Sequence, residues 1–194
     1  MVAGVGWRRR VAAMLVVGPM LAAAPALSQE SGGKILDELK LGVLDHDITL
    51  GGRAVESGAD LNAEILFASP DFLGFLGGPR PHLGVAVNTD GNTDQAYFGL
   101  TWDWTPIKHI VGQSDGLTLS GSLGGALQDG YIDSAPSGRK KLGSVILFRE
   151  AVELGYQLTP ANSISIIVDH ISNANLGNHN AGITSAGARF GIKF

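Results

Sequence analysis

The sequence predicts an all-β fold, an eight-stranded antiparallel up-and-down transmembrane β-barrel. Three observations support this prediction. Eight segments alternate apolar and polar residues between turn signals, the chain opens on an apparent export leader, and no later apolar run approaches the ~20 residues of a membrane helix. A soluble β-sandwich would show similar alternation, so periodicity alone leaves both folds open.

The N-terminal segment has the pattern of a secretory signal peptide. Three arginines at 8–10 precede an apolar run at 11–27, which ends in small residues at Ser28. The run is short for a spanning helix and contains two prolines, so a retained membrane anchor is the weaker interpretation. We expect a signal peptide over 1–28 and an outer-membrane barrel domain over 29–194.

Composition restricts the function further. Removal of the leader takes three of the 14 basic residues and none of the 18 acidic ones, which leaves 11 against 18 and a formal charge of −7. This balance argues against a nucleic-acid partner, because such binding depends on cationic side chains. The chain has no cysteine, so an exported protein of this kind depends on its own core or on a membrane for stability.

The first four predicted strands form two hairpins. The strand at 37–49 places leucine and valine on one face, and the strand at 58–68 alternates apolar residues with acidic and amide ones. The strands at 81–88 and 95–105 flank the segment NTDGNTD, whose composition is typical of a hairpin loop.

The last four predicted strands carry the strongest alternation. They are LTLSGSLGGAL with its polar flanks at 116–128, two apolar-alternating segments at 143–158 and 162–173, and a final strand at 183–194. The final strand alternates small and aromatic apolar residues and closes on Phe194, which is typical of bacterial outer-membrane proteins. It therefore favours the barrel over the sandwich.

An eight-stranded barrel has an interior that side chains just fill. The opposite faces of the second and last strands carry polar residues that would point into this interior. We expect them to pair as a polar core that leaves no aqueous channel; the residues are Asp60, Asn62, Glu64, Arg189 and Lys193.

A histidine and a serine share the apolar face of the seventh strand. His170 and Ser172 have the same parity as Ile164, Ile166 and Val168, and residues two apart on a strand lie about 6–7 Å apart on one face. A serine hydroxyl becomes a good nucleophile when a neighbouring base accepts its proton. The pair therefore suggests a hydrolase acting on a membrane-lipid ester, although interfacial polar residues at a barrel rim would look the same.

The segment HISNANLGNHNAGI at 170–183 resembles the outer-membrane lipid A 3-O-deacylase family of the PagL type. The family motif is His-x-Ser-Asn-Ala, then a polar loop, then Asn-x-Gly and an acidic residue. The matching positions are His170, Ser172, Asn173, Ala174, Asn180 and Gly182. The likeness extends upstream through 40–49, the strand with Asn62 and Glu64, and 142–156, so it covers most of the chain after the leader.

The resemblance implies an enzyme of the bacterial outer membrane that acts on lipid A of lipopolysaccharide. Ser172 would attack an acyl ester with His170 as the general base, and Asn173 would hold the oxyanion. The product would be a 3-hydroxy fatty acid. No cofactor and no metal are implied, and the oligomeric state is left open.

One position departs from the family pattern. The family's acid, which orients the histidine, corresponds to Thr184, and a threonine cannot offset the charge of an imidazolium. Glu150 is a possible substitute, because it shares the outward parity of the sixth strand. Two pairing registers of the sixth and seventh strands are open, one placing Glu150 opposite Ser172 and the other opposite His170. We hypothesise a site of His170, Ser172 and Glu150.

Two other motifs and one other function class remain as alternatives. GQSDG at 112–116 matches a hydrolase elbow but precedes a strand rather than a helix. The acidic residues at 90–94 alternate like calcium ligands but lack the glycine and closing glutamate of a calcium loop. A non-catalytic barrel with a structural or adhesive role is the alternative to the enzyme, and Thr184 is the residue that favours it.

Overall fold

The computed structural model describes residues 34–50 and 53–194, which form a closed antiparallel barrel. Each strand pairs with its sequence neighbours, and the first strand closes the barrel against the last. The predicted all-β, eight-stranded up-and-down fold is therefore confirmed. The leader predicted over 1–28 lies outside the described residues. The strands are β1 (Leu36–Asp45), β2 (Ala59–Phe67), β3 (Arg80–Asn88), β4 (Gln95–Lys108), β5 (Gly116–Gln128), β6 (Ile146–Gln157), β7 (Asn162–Ser172) and β8 (Ile183–Lys193).

Side chains alternate between the two surfaces of the barrel wall, because successive strand residues point to opposite faces. On β7, Ile164, Ile166 and Val168 are exposed on the outer surface, whereas Ile167 and Asp169 are buried inside. An apolar outer surface is what a closed barrel presents to lipid tails. Other exposed apolar residues of the wall are Leu41, Val43, Leu61, Leu83, Val85, Leu123 and Val152.

The barrel interior is a network of ion pairs. Arg189 lies 3.1 Å from Glu64 and also contacts Glu153. Arg149 pairs with Asp169, and its guanidinium lies 3.7 Å from the ring centroid of Tyr97. These charged side chains are almost completely buried, and pairing offsets the large cost of removing each charge from water.

The polar residues predicted to face the interior do so. Asn62 donates a hydrogen bond to Tyr97 at 2.7 Å, and Asp60 lies 2.8 Å from the ring of His46. Near the C-terminal end of β8, Lys193 Nζ donates a hydrogen bond to Oε1 of Gln157 at 3.0 Å. The predicted polar core is thus confirmed, and its side chains close the middle of the lumen.

The two ends of the barrel differ in their connections. The loop end carries the segments 46–58, 89–94, 129–145 and 173–182, whereas the turn end carries 68–79, 109–115 and 158–161 together with the start of β1 and the end of β8. Outer-membrane barrels place long loops at the cell surface and short turns in the periplasm. By this pattern, we expect the loop end to lie at the cell surface.

Two strands are shorter than predicted at the loop end. β1 ends at Asp45: the backbone N–H of His46 still donates to the carbonyl of Gly58 at 3.0 Å, but Asp47 then has a φ of 54°, which turns the chain away from β2. β6 begins only at Ile146, because Leu142 hydrogen-bonds within its own loop. Both departures bring loop residues over the mouth of the barrel.

The turn between β2 and β3 contains a short 3₁₀ helix, Asp71–Leu76, that the sequence analysis did not predict. The helix lies against the outer wall, where the indole N–H of Trp102 donates to the carbonyl of Leu76 at 2.8 Å. Phe72 and Phe75 are exposed on its surface. Across the described residues, no helix is long and apolar enough to cross a membrane.

Candidate active site

His170 and Ser172 are the last two outward-facing residues of β7, at the loop end of the barrel. Both lie on the outer surface with the exposed aliphatic side chains of the strand, and both are half-buried. The Ser172 hydroxyl forms no hydrogen bond with any other described residue. The sequence-predicted pair is thus outward-facing, at the edge of the lipid-facing wall.

The imidazole of His170 contacts Thr184 on the neighbouring strand. The two residues are directly paired across β7 and β8, and Nδ1 lies 2.7 Å from the threonine Oγ1. Thr184 is only 6% exposed, so little water competes for this hydrogen bond. When Nδ1 carries the proton and donates it to Thr184, Nε2 remains an acceptor, as a general base requires.

Gly182 packs directly against the same imidazole. A Cβ at this position would lie 2.8 Å from Cε1 and 3.0 Å from Nε2 of His170. Only a glycine therefore allows the histidine ring to lie against this backbone. The glycine of the Asn-x-Gly motif is therefore required for steric reasons, and its backbone packs against the His170 ring from the loop side.

Asn173 locks the loop that follows the pair. Its amide nitrogen donates to the carbonyls of Leu142, at 3.0 Å, and His179, and its Oδ1 accepts the backbone N–H of Asn175 at 2.9 Å. Its own backbone N–H donates to Asn180 at 3.1 Å. No N–H of Asn173 is free in this arrangement, so its oxyanion role stays a prediction, while its contacts explain why the loop is compact.

Glu150 lies beside the histidine on the other neighbouring strand. The structure selects the register that pairs Glu150 with His170, and Phe148 rather than Glu150 lies opposite Ser172. Directly paired residues on antiparallel strands have Cα atoms about 4.5–5.5 Å apart. The exposed carboxylate forms no hydrogen bond or ion pair with other described residues. Its role in orienting His170 stays a prediction.

Lys140 was missed by the sequence analysis, although it holds the backbone beside the site. Its Nζ donates to the carbonyl of Gly182 at 2.7 Å and forms a buried ion pair with Asp47. The backbone N–H of Ile48 also donates to the carbonyl of Thr184 at 2.7 Å. These partners are far apart in sequence, so no local pattern could have indicated the contact.

A buried charge cluster lies next to this support at the mouth of the barrel. His46 is held between Asp60, at 2.8 Å, and Glu56, at 3.2 Å. Burial alone would lower the pKa of His46, but hydrogen bonds from its ring to the carboxylates of Asp60 and Glu56 outweigh this effect and raise the pKa to about 9. Burial would raise the pKa of Glu56, but hydrogen bonds from His46, Lys140 and other donors lower it to about 2.

The alternative motifs have structural explanations. The GQSDG segment at 112–116 forms the β4–β5 turn, where Asp115 accepts the backbone N–H groups of Val111 and Gly112. The acidic segment at 90–94 is a hairpin loop organised by the side chain of Asn88. Within the described ranges, no group of histidine and acidic residues could hold a metal ion.

The fold and the outward-facing His–Ser pair define the class of protein, a small outer-membrane-type barrel with a candidate hydrolase site on its wall. The family model for lipid A 3-O-deacylase (PagL) matches residues 80–193. The chain therefore belongs to this family, which confirms the resemblance noted in the sequence. The matched region includes His170, Ser172 and Glu150.

Solved structures share the fold at low sequence identity. The crystal structure of the outer membrane enzyme PagL aligns with a TM-score of 0.59 and 16% identity, covering 81% of this chain and 99% of that one. The N-terminal β-barrel domain of Pseudomonas aeruginosa OprF aligns with a TM-score of 0.50 and 13% identity, covering 84% of this chain and 100% of that one. A search of curated protein sequences gave no match. At these identities the structural likeness establishes the fold alone.

Proposed function

We propose that this protein is an outer-membrane serine esterase that removes an ester-linked 3-hydroxyacyl chain from lipid A of lipopolysaccharide. The observation that carries the proposal is the hydrogen bond between His170 and Thr184. Thr184 stands at the family's position for the orienting residue, and His170 lies two residues before Ser172 on the same strand. Family membership supplies the substrate class.

The proposed mechanism uses the histidine as a proton shuttle. Nε2 of His170 takes the hydroxyl proton while Ser172 Oγ attacks the ester carbonyl. Collapse of the tetrahedral intermediate breaks the bond to the sugar oxygen, which receives the proton from His170, and leaves an acyl-serine. Water activated by the same imidazole then attacks the acyl-serine and releases the 3-hydroxy fatty acid. Asn173 is assigned as the oxyanion donor on the family motif alone.

Thr184 and Glu150 divide the task that one carboxylate performs in the family. Thr184 fixes the ring orientation through Nδ1, but it is neutral. Glu150, paired directly with His170 and free of other partners, supplies negative charge beside the imidazolium that forms. In the low-dielectric surroundings of a lipid-facing wall, such a charge acts strongly. A carboxylate on this wall is otherwise unfavourable, which supports a functional reason for its presence.

The position of the site fits a membrane-lipid substrate. The pair lies on the outer surface at the loop end, where a lipid of the outer leaflet would present an ester between its headgroup and its acyl chains. We also infer that the leader over 1–28 directs export and is removed near Ser28, which the intact mass of the purified protein would test. The reaction as proposed requires no metal or cofactor.

Mass spectrometry of lipid A from cells expressing the protein or its Ser172→Ala variant tests the proposal. Loss of one 3-hydroxyacyl mass only with the wild type is the expected result. Both proteins are first shown to reach the outer membrane and to be folded by heat-modifiable gel mobility. Unchanged lipid A with a correctly inserted wild type would contradict the proposal.

The neutral Thr184 gives a specific reason to consider a second function. A barrel that kept the family scaffold but lost the acid could serve a structural or adhesive role. One variant distinguishes the two functions. If the wild type is inactive because it lacks the acid, Thr184→Glu should give the barrel esterase activity. An active wild type excludes the non-catalytic alternative directly.

A further inference from the structure

The 3₁₀ helix between β2 and β3, Asp71–Leu76, carries apolar side chains on more than one face. Residues three apart in a 3₁₀ helix lie on the same face, so Phe72 and Phe75 share one face and Leu73 and Leu76 share another. Leu73 is buried, whereas Phe72 is 72% and Phe75 is 82% exposed. A helix that is apolar on several faces is typical of a protein core or a membrane, so water is a poor match for this one.

Trp102 fastens the helix to the outer wall of the barrel. Its indole N–H donates to the carbonyl of Leu76 at 2.8 Å. The apolar wall continues beyond this point, because Trp104 and Ile107 lie further along β4 toward the turn end and are also exposed. The helix is therefore attached within the part of the wall whose apolar side chains would meet lipid tails.

Several backbone carbonyls of the helical segment are hydrogen-bonded, which suits a lipid environment. The acceptors are the carbonyls of Pro70, Leu73, Gly74 and Leu76. Backbone N–H groups of the same turn serve the first three at 2.9–3.1 Å, and the indole of Trp102 serves Leu76. Because lipid tails offer no donors, this pairing allows the segment to lie against them without unpaired acceptors at these positions.

We propose that the helix Asp71–Leu76 is a membrane anchor whose Phe72 and Phe75 insert among phospholipid acyl chains. The leaflet is the one at the turn end, which is the periplasmic leaflet if the loop end lies at the cell surface. Asp71, exposed in the first turn, would face the polar headgroups. The anchor continues the lipid-facing wall outward from β4 and holds the barrel at a fixed depth. It does not depend on the proposed esterase activity.

The test uses spin labels, because the chain has no cysteine and a single introduced cysteine is labelled uniquely. Phe75→Cys is labelled in nanodiscs of phosphatidylethanolamine and phosphatidylglycerol, and collision rates with oxygen and with a water-soluble nickel chelate are compared. Leu83→Cys on the exposed wall of β3 is the lipid reference. Ser137→Cys, exposed in the loop 129–145, is the water reference.

The label at position 75 should match the lipid reference, with oxygen collisions more frequent than collisions with the chelate. Collisions with the chelate as frequent as at the water reference would overturn the inference. Low collision rates with both reagents would also overturn it, because they would show that a second copy or another protein covers the helix.

A second measurement asks whether the two phenylalanines hold the helix in lipid. Gly74→Cys serves as the labelled site, since a Cβ there meets no atom within 4 Å. The double variant Phe72→Ser/Phe75→Ser should raise its collision rate with the chelate severalfold, while heat-modifiable gel mobility shows that the barrel is folded. Phe98→Ser is the matched control, because it removes an exposed phenylalanine of the β4 wall outside the helix. An unchanged rate in the double variant, or an equal rise in the control, would overturn the anchor.

Discussion

Carboxylates occupy two contrasting environments in this barrel, the lumen and the outer wall. In the lumen, Glu64 and Glu153 are buried and paired with Arg189. On the outer wall, Glu150 is exposed and has no partner among the described residues. Two of these carboxylates even lie on the same strand, three residues apart.

The difference separates charges that hold the fold together from one charge that we propose acts in the reaction. A buried pair is held because removing one partner leaves an uncompensated charge. A carboxylate on a lipid-facing surface is unfavourable to a degree that depends on its depth in the membrane, and the role proposed for Glu150 beside His170 would offset that cost. The contrast can be measured, because substitution on each side has a different expected readout.

The largest effect is expected in the lumen. Arg189→Met would leave Glu64 and Glu153 without their shared partner and should lower the free energy of unfolding by about 3–5 kcal/mol. Urea titration of the protein in detergent micelles measures this. Glu150→Gln is the control and should change the same quantity by less than about 0.5 kcal/mol. Equal destabilisation by both variants would erase the distinction between the two environments.

The next effect concerns activity at the outer wall. Glu150→Gln should lower kcat by about 10- to 100-fold, because the imidazolium loses its neighbouring charge, which corresponds to about 1.4–2.7 kcal/mol. Thr184→Val should lower kcat by freeing the ring, and Thr184→Glu should raise it. Rates of 3-hydroxy acid release measure all three variants. Full activity of Glu150→Gln would show that the charge of Glu150 takes no part in catalysis and that the residue only lies at the level of the lipid headgroups.

A smaller loss is expected from the support beneath the site. Lys140→Met removes the hydrogen bond to the Gly182 carbonyl and also leaves the buried carboxylate of Asp47 without its ion-pair partner, so activity is compared on protein shown to be folded; kcat should fall about tenfold with KM nearly unchanged. Lys140→Arg should restore part of the activity. Lys141→Met is the matched control, since that exposed neighbour has no side-chain contact that supports the site. Equal losses in both variants would argue against a positioning role.

The smallest effect is a pH dependence of the loop end. Because the pKa of His46 is raised from 6.5 to about 9 in the folded protein, its contribution to stability is complete below pH 6.5 and is lost as the pH rises through about 9. The unfolding temperature in micelles should therefore decline over this window in the wild type. His46→Asn should show a flatter profile, and identical profiles would show that the cluster does not couple to folding.

The sequence was a good guide to the wall of the barrel. Alternation located all eight strands, because each outward face must be apolar and each inward face polar, and the parity of β7 placed His170 and Ser172 correctly. The motif also found Thr184, whose contact with the histidine follows from a ladder between neighbouring strands. Local periodicity is sufficient wherever pairing is between sequence neighbours.

The loop end could not be predicted in the same way. Contacts such as Lys140 with Asp47 join loops 93 residues apart and obey no repeat. The register that places Glu150 opposite His170 was one of two open choices, since both kept apolar residues facing outward. The side-chain amide of Asn173 also donates a hydrogen bond to the carbonyl of Leu142 in another loop, which the motif alone does not reveal.

The filled lumen has a consequence for the cell envelope. Since Arg149, Arg189 and Tyr97 occupy the centre of the barrel with almost no exposed surface, the protein offers no path for small solutes. A cell could carry many copies without making its envelope leaky to antibiotics or bile salts. The proposed removal of acyl chains from surface lipids would thereby be separated from the permeability barrier that those lipids maintain.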